Sequence, residues 1–388
     1  LMPEKVGAPL DFISGDFAAK NSVNAGRMEW RCMVNQGKPW DLMAWSFTWT
    51  DGLYSTKTVP QLEREAAIVI ALGGGFQAYF PQKRDGSVRM WQMTGLMGEV
   101  AKFCRARQAF CHKAEPVPQI ALLYSTDAYY RIANNLFAPW GGELTTLNGD
   151  LQGLLDSQYS VEIVMEHHLK GRMNRYPLIV VPGWEYLDPV FRSELLAYVR
   201  DGGSLLLEGP GSAALFENEL GVKLSKPEKK VCALAHNGWI AGLNTPVATA
   251  EPGPDAKPFG RVYDRGEGYI GVNDTQGPSI PAATITKYGR GKIAATYLNL
   301  GERYANSSTP TARDFLDALV RELFPDPVAE VKGSHSVDVP VNRKNGKLMV
   351  NLVNTAGPHA NQSVNVFDEI PPVGPLSVAI RTAKKPAS

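Results

Sequence analysis

Residues 1–114 alternate a short apolar strand with a helix three times, and this rhythm constrains the fold more than any other feature of the sequence. The strands are predicted at residues 8–17, 39–47 and 76–80. Consecutive strand–helix units run their strands parallel and place the helices outside. Three such strands alone would leave two unpaired edges, which promote aggregation. We therefore expect residues 1–114 to be the last three units of a (β/α)8 TIM barrel, whose first five units would precede Leu1.

A second run of strands and helices covers residues 115–330 and follows a proline-punctuated linker. In its most clearly marked helix, Asp188 is a good N-cap, Pro189 fits the first turn, and Gly202 ends the helix. Strands are predicted at residues 120–124, 161–165, 178–181, 204–207 and 291–298. This pattern predicts a doubly wound α/β domain in which the strand at 204–207 closes the sheet and the later strand at 291–298 joins the same layer.

Residues 331–388 show a third pattern, in which short stretches alternate apolar and polar residues between turn residues. Strands are predicted at residues 336–341, 347–354, 363–367 and 376–382. We expect these strands to form a small C-terminal β-sandwich. The 388 residues are enough to bury separate cores in all three predicted domains.

Composition excludes several classes of function. The sequence has 40 Lys and Arg against 39 Asp and Glu, and this balance is not that of a nucleic-acid or anionic-membrane binder. No apolar stretch approaches the ~18 residues of a membrane span. The four cysteines lack a CxxC spacing, and the six histidines lack the HxH and HExxH spacings of metal sites. We expect no metal and no cofactor; the compartment, cytoplasmic or periplasmic/secreted bacterial, stays open.

The stretch LIVVPGWEYLDPVFRSELLAYVRDGGSLLLEGPG, residues 178–211, resembles the trimerisation domain of glycoside hydrolases built like the family 42 β-galactosidases. In those enzymes a barrel precedes this flavodoxin-like domain, which is related to class I glutamine amidotransferases, and a β-sandwich follows it. The barrel part here is more similar to the hypothetical glycosyl hydrolase group that includes the family 151 α-L-fucosidases. The resemblance implies a carbohydrate substrate and a homo-oligomer, a trimer or a dimer of trimers.

Amidotransferase activity itself is excluded for the middle domain. Such enzymes carry a nucleophilic cysteine on the sharp turn after the strand that here reads SLLLE, because thiolate attack needs an exposed elbow. This sequence has Gly209 at that turn. Without a nucleophile, an assembly role is the better prediction for residues 115–330.

Glycoside hydrolysis usually needs two carboxyl groups, and in a barrel these lie at the carboxyl ends of strands. Asp16 and Asp41 are the acidic candidates there. Asp41 resembles the acid/base of the fucosidase pattern, Trp-Glu followed by Trp-Gly-Tyr, although Asp replaces Glu. The structural alternatives are that Asp41 hydrogen-bonds a neighbouring strand or Arg31, and that Asp16 caps the following helix. In fucosidase-like barrels the nucleophile comes from the fourth strand, which residues 1–114 do not supply.

The same segment argues against a β-galactosidase. When PWDLMAWSF is aligned on its Pro-aromatic start with a family 42 enzyme, the nucleophilic Glu of that family falls near Ala44. A methyl group cannot attack an anomeric carbon. The resemblance therefore favours a retaining, α-L-fucosidase-like hydrolase; β-galactosidase, α-arabinosidase or another exo-glycosidase, and a catalytically inactive sugar-binding or structural oligomer, are the alternatives.

Aromatic and polar side chains near the strand ends are candidates for sugar binding. Trp45, Trp49 and Tyr79 could stack on the apolar face of a pyranose, or pack in the core instead. On the third strand either the Gln77 and Tyr79 pair or the phenylalanines at 76 and 80 would face the barrel lumen. His236, in the loop-like stretch LAHNGW, is a weaker candidate that could serve a neighbouring subunit's site.

Overall fold

The computed structural model describes residues 4–16, 18, 20–50, 52–133, 142–264, 278–361 and 363–382. The chain divides into two compact units, each with mixed helices and strands. The first unit comprises Leu1–Val117, Gln158–Glu162 and Val328–Ser388, and the second comprises Pro118–Ser157 and Ile163–Pro327. The predicted domain limits after residues 114 and 330 stay predictions. None of the described helices combines the length and apolarity needed to cross a membrane.

The N-terminal part of the first unit contains the three predicted strand–helix units. Its helices are α1 (Glu4–Gly7), α2 (Ser22–Glu29), α3 (Arg31–Val34), α4 (Val59–Ile70) and α5 (Gly98–Cys111), with a π-helical turn at Gln92–Met97. Its strands are β1 (Ile13–Asp16), β2 (Trp40–Trp45), β3 (Phe47–Thr50), β4 (Leu53–Thr56), β5 (Gly75–Tyr79) and β6 (Glu115–Pro116). Strands β1, β2 and β5 form a parallel sheet in that order, which confirms the three predicted strands and their direction.

One face of this parallel sheet is covered by helices. Ile13, Leu42 and Ala44 point into an apolar core that α4 completes with Leu62 and Val69. Successive side chains of a strand point to opposite faces, so the residues between these positions lie on the other face. We call that second face of β1, β2 and β5 the open face.

The glycine run after α4 has a packing reason. The Trp40 ring lies 6.3 Å from the Trp30 ring in a stacked arrangement on the helix side. A Cβ atom on Gly74 would lie 2.2 Å from the Trp40 ring, which is far inside contact distance. Glycine at this position therefore lets β5 approach β2 over an indole.

The second unit contains a sheet of nine described strands and a separate pair, β11 with β14. These eleven strands are β7 (Ile120–Leu123), β8 (Val161–Val164), β9 (Leu178–Pro182), β10 (Ser204–Glu208), β11 (Val222–Leu224), β12 (Glu228–His236), β13 (Trp239–Val247), β14 (Ala250–Pro252), β15 (Ala256–Asp264), β16 (Ser279–Tyr288) and β17 (Gly291–Thr296). Its helices are α6 (Thr126–Ile132), α7 (Thr145–Asp156), α8 (Glu166–Leu169), α9 (Pro189–Arg200), α10 (Gly209–Ala214), α11 (Glu217–Leu220), α12 (Leu300–Asn306) and α13 (Pro310–Leu323), with short 3-10 turns at Gly142–Leu144 and Met173–Arg175.

The prediction that residues 204–207 close this sheet is wrong. The order is β13-β12-β15-β16-β17-β10-β9-β7-β8, so β10 is an inner strand. It pairs in parallel with β9 and β17, after which β17, β16, β15, β12 and β13 pair in antiparallel fashion. The N-terminus of α9 is as predicted, because the Asp188 carboxylate accepts hydrogen bonds from the backbone N–H groups of Val190 and Phe191.

The C-terminal strands form small sheets within the first unit. They are β18 (Ala329–Lys332), β19 (Val337–Asp338), β20 (Val341–Lys344), β21 (Lys347–Val350), β22 (Val353–Asn354) and β23 (Ser377–Ile380), with a 3-10 turn at Pro358–Ala360. The pairs are β18 with β23, β19 with β22, and β20 with both β21 and β6. The predicted strand at residues 363–367 is wrong: the Asn361 side chain accepts a hydrogen bond from the Ser363 N–H and turns the chain there.

A buried pair of carboxyl groups lies in the second unit, on Asp150 of α7 and Glu208 at the end of β10. Glu208 Oε1 accepts hydrogen bonds from the backbone N–H groups of Leu300 and Gly301 at the start of α12. Glu208 Oε2 and both Asp150 oxygens find no donor among the described groups. Burial raises the pKa of Glu208 to about 7 and, together with the neighbouring Glu208 charge, raises the pKa of Asp150 well above its ordinary value. The pair is best satisfied when it holds a proton.

We expect this pair to make the second unit less stable as pH rises. A carboxyl group whose folded pKa is raised contributes stability that is fully present below its unfolded value of 4.5 and is lost as pH rises through about 7. The loss amounts to roughly 3 kcal/mol by the 1.36 kcal/mol per pKa unit relation. Denaturant unfolding at pH 5 and pH 8 should show this loss, and Glu208→Gln, whose amide can donate to Asp150, should reduce it. An identical pH dependence in the two proteins would contradict the assignment.

Candidate functional site

The open face brings together five of the seven predicted site residues. Asp16 of β1, Asp41 and Trp45 of β2, and Gln77 and Tyr79 of β5 alternate with the core-facing residues of the same strands. In the strand register Asp16 lies beside the position two residues after Asp41, and Trp45 lies directly beside Tyr79. The two carboxylates are thus offset by roughly 7 Å along the strands, at the ~3.3 Å rise per residue of a parallel strand.

Asp41 has one oxygen held and one oxygen without a partner. Gln77 Nε2 donates to Asp41 Oδ2 at 2.6 Å, so the hydrogen bond to a neighbouring strand, one of the structural alternatives, is present. Asp41 Oδ1 is shielded from solvent and accepts no hydrogen bond from the described residues. Arg31 takes no part, because its guanidinium donates to the backbone oxygens of Val161 and Arg27. The Gln77 bond fixes the Asp41 carboxylate on the open face. The prediction that Asp41 lies at the carboxyl end of its strand is wrong, because Asp41 is the second residue of β2 and pairs with Gly75, the first residue of β5.

Asp16 does not cap the following helix. Helix α2 begins at Ser22, and its N-cap residue is Asn21. Asp16 Oδ2 instead accepts a hydrogen bond of 3.1 Å from Trp45 Nε1. The bond ties the indole to the neighbouring strand and leaves the carboxylate exposed on the open face.

Five aromatic rings continue the open face beyond the ends of β2 and β5. We call Trp45, Phe47, Trp49, Tyr54 and Tyr79 the aromatic cluster. Phe47 is buried at its centre, with ring centroids 5.1 to 6.1 Å from those of the other four. Trp49, Tyr54 and Tyr79 are 52%, 38% and 44% exposed. The cluster is therefore a supported aromatic surface beside two carboxylates, rather than a closed core.

Three of these rings, Phe47, Trp49 and Tyr54, are on a hairpin that the sequence prediction missed. Strands β3 and β4 pair antiparallel, where a loop is predicted between the second strand and the following helix. The signal is present in the sequence as two stretches of alternating residues, FTWT and LYST, around an Asp-Gly turn dipeptide. Sequence reasoning therefore missed Phe47 and Tyr54 as members of the cluster.

The base of the hairpin is fastened to the scaffold. The Ser46 N–H donates to the Tyr79 carbonyl at 2.7 Å, and the Lys57 N–H donates to the Ser46 carbonyl at 2.9 Å. Lys57 Nζ also forms an ion pair of 2.8 Å with Glu65 of α4, and the two side chains are 0% and 1% exposed. These contacts fix where the hairpin leaves the parallel sheet.

A cavity of about 640 Å³ also lies in the first unit, beside α4 and α5, but it is a poorer candidate for catalysis. Its lining includes Phe103, Phe110 and Leu352, and Glu63 is its one carboxylate among the described lining residues. A single carboxylate does not provide the pair that glycoside hydrolysis requires. The open face provides two.

His236 belongs to the second unit and is described apart from the open face. The prediction of a loop around it is wrong, because His236 is the last residue of β12 and a tight turn at Asn237 and Gly238 leads into β13. Its ring packs edge-on against Phe315, with centroids 5.8 Å apart, and burial lowers the pKa of the imidazole. A role for His236 in another subunit stays a prediction.

Gly209 lies at the sharp turn after β10 and carries no nucleophilic side chain. It follows β10 with a φ of +83°, a conformation that side chains rarely adopt, and its N–H donates to Thr296 Oγ1 at 2.8 Å. The strand, sharp turn and helix of a nucleophile elbow are therefore present, but the position has no side chain.

Comparison with known proteins shows the fold. No family profile matches the sequence, and no curated protein matches it. Among solved structures, α-L-fucosidase isoenzyme 2 from Paenibacillus thiaminolyticus superposes with a TM-score of 0.71 and 15% identity over 88% of this chain and 54% of its own. The GH42 β-galactosidase Gan42B from G. stearothermophilus superposes with a TM-score of 0.67 and 17% identity over 88% of this chain and 53% of its own. The β-galactosidase from Bacillus circulans sp. alkalophilus superposes with a TM-score of 0.66 and 14% identity over 91% of this chain and 55% of its own.

This chain thus spans about half the length of these solved structures. The likeness shows that it has the mixed α/β fold that the fucosidase and the β-galactosidases share over that part. It agrees with the resemblance found in the sequence at the level of fold.

Proposed function

We propose that the protein is a glycoside hydrolase and that its sugar site is the open face of β1, β2 and β5. The observation that carries this proposal is the pair of carboxylates, Asp16 and Asp41, on the same face as an exposed aromatic cluster. Carboxyl groups supply the acid and base of glycoside hydrolysis, and aromatic rings bind the apolar face of a pyranose. Asp16, Trp45 and Tyr79 are the last residues of β1, β2 and β5, the strand ends at which a (β/α)8 barrel carries its function, while Asp41 lies toward the other end of β2.

The proposed roles follow from the hydrogen bonds. Asp41 is the acid/base: its carboxyl group protonates the glycosidic oxygen while a carboxylate nucleophile attacks the anomeric carbon, and it then takes a proton from the water that releases the sugar. Gln77 fixes the orientation of Asp41, and Asp16 holds Trp45 and accepts hydrogen bonds from sugar hydroxyls. The nucleophile is expected from the fourth barrel strand, which is not among the strands described.

For the sugar, we propose an α-L-fucoside before a β-galactoside. Ala44, where the family 42 nucleophile falls in the sequence alignment, is 0% exposed and points into the helix-side core. Neither its side chain nor its direction suits attack on a sugar in the open face. A catalytically inactive sugar-binding protein is the remaining alternative.

A panel of methyl and nitrophenyl glycosides tests this proposal. Recombinant protein with an intact barrel should release sugar from α-L-fucosides, and release from β-galactosides or α-arabinosides alone would keep the glycosidase proposal and change its specificity. If no glycoside is cleaved, the enzyme proposal is wrong. Calorimetric binding of the same sugars without turnover would then identify the sugar-binding alternative.

We further propose that the second unit serves assembly, as a homo-oligomer that is a trimer or a dimer of trimers. Gly209 supports this because the position of an amidotransferase nucleophile carries no reactive group. Light scattering after size exclusion should give a molar mass of three or six chains at micromolar concentration. A monomer under these conditions would overturn this part of the proposal.

A further inference from the structure

The tip of the β3–β4 hairpin presents apolar side chains to solvent. Trp49 and Tyr54 are paired in the strand register with their ring centroids 5.6 Å apart, and Leu53, on the other face of the hairpin, is 70% exposed. Large apolar groups gathered on one exposed element usually mark a contact surface for a ligand or a partner. This hairpin is therefore a candidate binding surface in its own right.

The hairpin surface is continuous with the proposed sugar site. Asp16 bonds Trp45, the Trp45 ring contacts Phe47 at 5.3 Å, and Phe47 in turn contacts Trp49 and Tyr54 at 6.1 and 5.1 Å. No gap interrupts this chain of contacts between the carboxylate and the hairpin. A molecule bound at the carboxylates can therefore extend directly over the hairpin rings.

The rings are also held in place before any ligand arrives. The Lys57–Glu65 ion pair fixes the base of the hairpin. Gln92, which is fully buried, donates from Nε2 to the Tyr54 hydroxyl at 3.4 Å. A preorganised surface loses little conformational entropy on binding, which favours affinity.

The chemistry of the hairpin indicates a neutral ligand. Strands β3 and β4 read FTWT and LYST, with aromatic, aliphatic and hydroxyl side chains and no charged group. A neutral pyranose matches such a surface, because its C–H face stacks on rings and Thr56, on the ring face in the strand register, offers a hydroxyl to its own. An anionic sugar would find no counter-charge on these two strands, and the residue between them in the sequence, Asp51, is itself an acid.

We propose that the β3–β4 hairpin forms a second sugar subsite that binds the leaving-group side of a neutral oligosaccharide. This inference rests on the proposed function, and it narrows the substrate class from glycosides in general to sugars attached to a glycan chain. The sugar at the carboxylates is cleaved, and the next sugar stacks on Trp49 and Tyr54.

Two substrates that share the cleaved sugar test the subsite. For α-L-fucose they are the trisaccharide that carries fucose on lactose and methyl α-L-fucoside; for another sugar identified by the panel, the corresponding pair is used. The measured quantity is the ratio of kcat/KM for the trisaccharide to that for the methyl glycoside. We expect this ratio to fall about tenfold in Trp49→Ala and in Tyr54→Ala, since one stacked ring contributes on the order of a factor of ten.

Two variants serve as controls. Tyr54→Phe keeps the ring and should leave the ratio within twofold of the wild-type value. Trp239→Ala removes a 73% exposed indole from the second unit and should likewise leave it unchanged.

The outcomes distinguish a failure of the subsite proposal from a failure of the glycosidase proposal. If the wild-type protein cleaves both substrates, and the alanine variants lower kcat/KM equally for both or for neither, the subsite proposal is wrong and the glycosidase proposal stands. If the variants change the molar mass in solution but not the ratio, the hairpin is a protein contact surface instead. If the wild-type protein cleaves no glycoside of the panel, both proposals fail.

Discussion

Asp41→Asn is expected to lower kcat for a methyl glycoside by about a hundredfold to ten-thousandfold, the usual contribution of a general acid. Asparagine keeps the size of the side chain and can still accept the Gln77 hydrogen bond, but it cannot deliver a proton to the leaving oxygen. A nitrophenyl glycoside needs little protonation of its leaving group. We therefore expect the first, glycosyl-transfer step to be much less affected with that substrate.

The comparison should be made on variants of unchanged thermal stability. Ser14→Ala is a matched control, because Ser14 lies directly beside Asp41 in the strand register and makes no contact proposed for catalysis. It should retain activity within a few-fold of wild type on both substrates. Equal loss by Asp41→Asn on the methyl and nitrophenyl glycosides would argue against proton transfer by Asp41, and no loss on either would remove it from the site.

Glu65→Gln is expected to destabilise the first unit by about 3 to 5 kcal/mol, the usual cost of removing one partner of a buried ion pair. Lys57 Nζ donates to both carboxylate oxygens of Glu65, at 2.8 and 3.0 Å, and neither side chain is exposed. Without the carboxylate, the buried Lys57 side chain loses its partner. Denaturant unfolding followed by circular dichroism measures the change.

A second ion pair provides the comparison. Glu99 and Lys102 of α5 form an ion pair with Nζ and Oε1 2.7 Å apart, but both side chains are largely exposed. Glu99→Gln should change the free energy of unfolding by less than ~1 kcal/mol. The double variant Lys57→Met with Glu65→Leu removes both charges and should recover most of the stability lost in Glu65→Gln. If Glu65→Gln costs no more than Glu99→Gln, the buried pair does not anchor the hairpin as described.

The sequence predicted the parallel strands because their signals are local. Strands β1, β2 and β5 lie in short segments between turn residues and helices, and the start of a helix such as α4 is marked by its own residues, with Thr58 accepting from the Gln61 N–H and Pro60 in the first turn. The choice between the two faces of β5 was left open at the sequence level. Packing decides it, because Phe76 joins the helix-side core and thereby directs Gln77 and Tyr79 to the open face.

The errors come from features that depend on distant residues. Nothing within SLLLE shows that β17 will pair with its second edge, so its inner position in the sheet could not be read from the strand itself. The stretch at residues 363–367 alternates like a strand, yet Asn361 turns the chain and the Phe367 ring packs over the Arg64 guanidinium, 4.5 Å away. Tertiary contacts override the local pattern at both places.

The site was predicted only in part, because some of its features follow from local sequence signals and others depend on contacts between strands. Asp16 and the two ring-bearing strand ends follow from the rule that function lies at the carboxyl ends of parallel strands, whereas Asp41 lies near the amino end of β2. The pairings Gln77 with Asp41 and Trp45 with Asp16 depend on the strand register, which one sequence does not specify. Phe47 was missed because its importance arises from the four rings around it rather than from its own position.

The most direct test of the account is a crystal structure of Asp41→Asn soaked with the neutral trisaccharide that the panel identifies as a substrate. The account predicts the cleaved sugar on the open face, with its glycosidic oxygen within hydrogen-bond distance of residue 41 and the next sugar over Trp49 and Tyr54. A trisaccharide bound away from β1, β2 and β5, with residue 41 out of reach of the glycosidic oxygen, would contradict it.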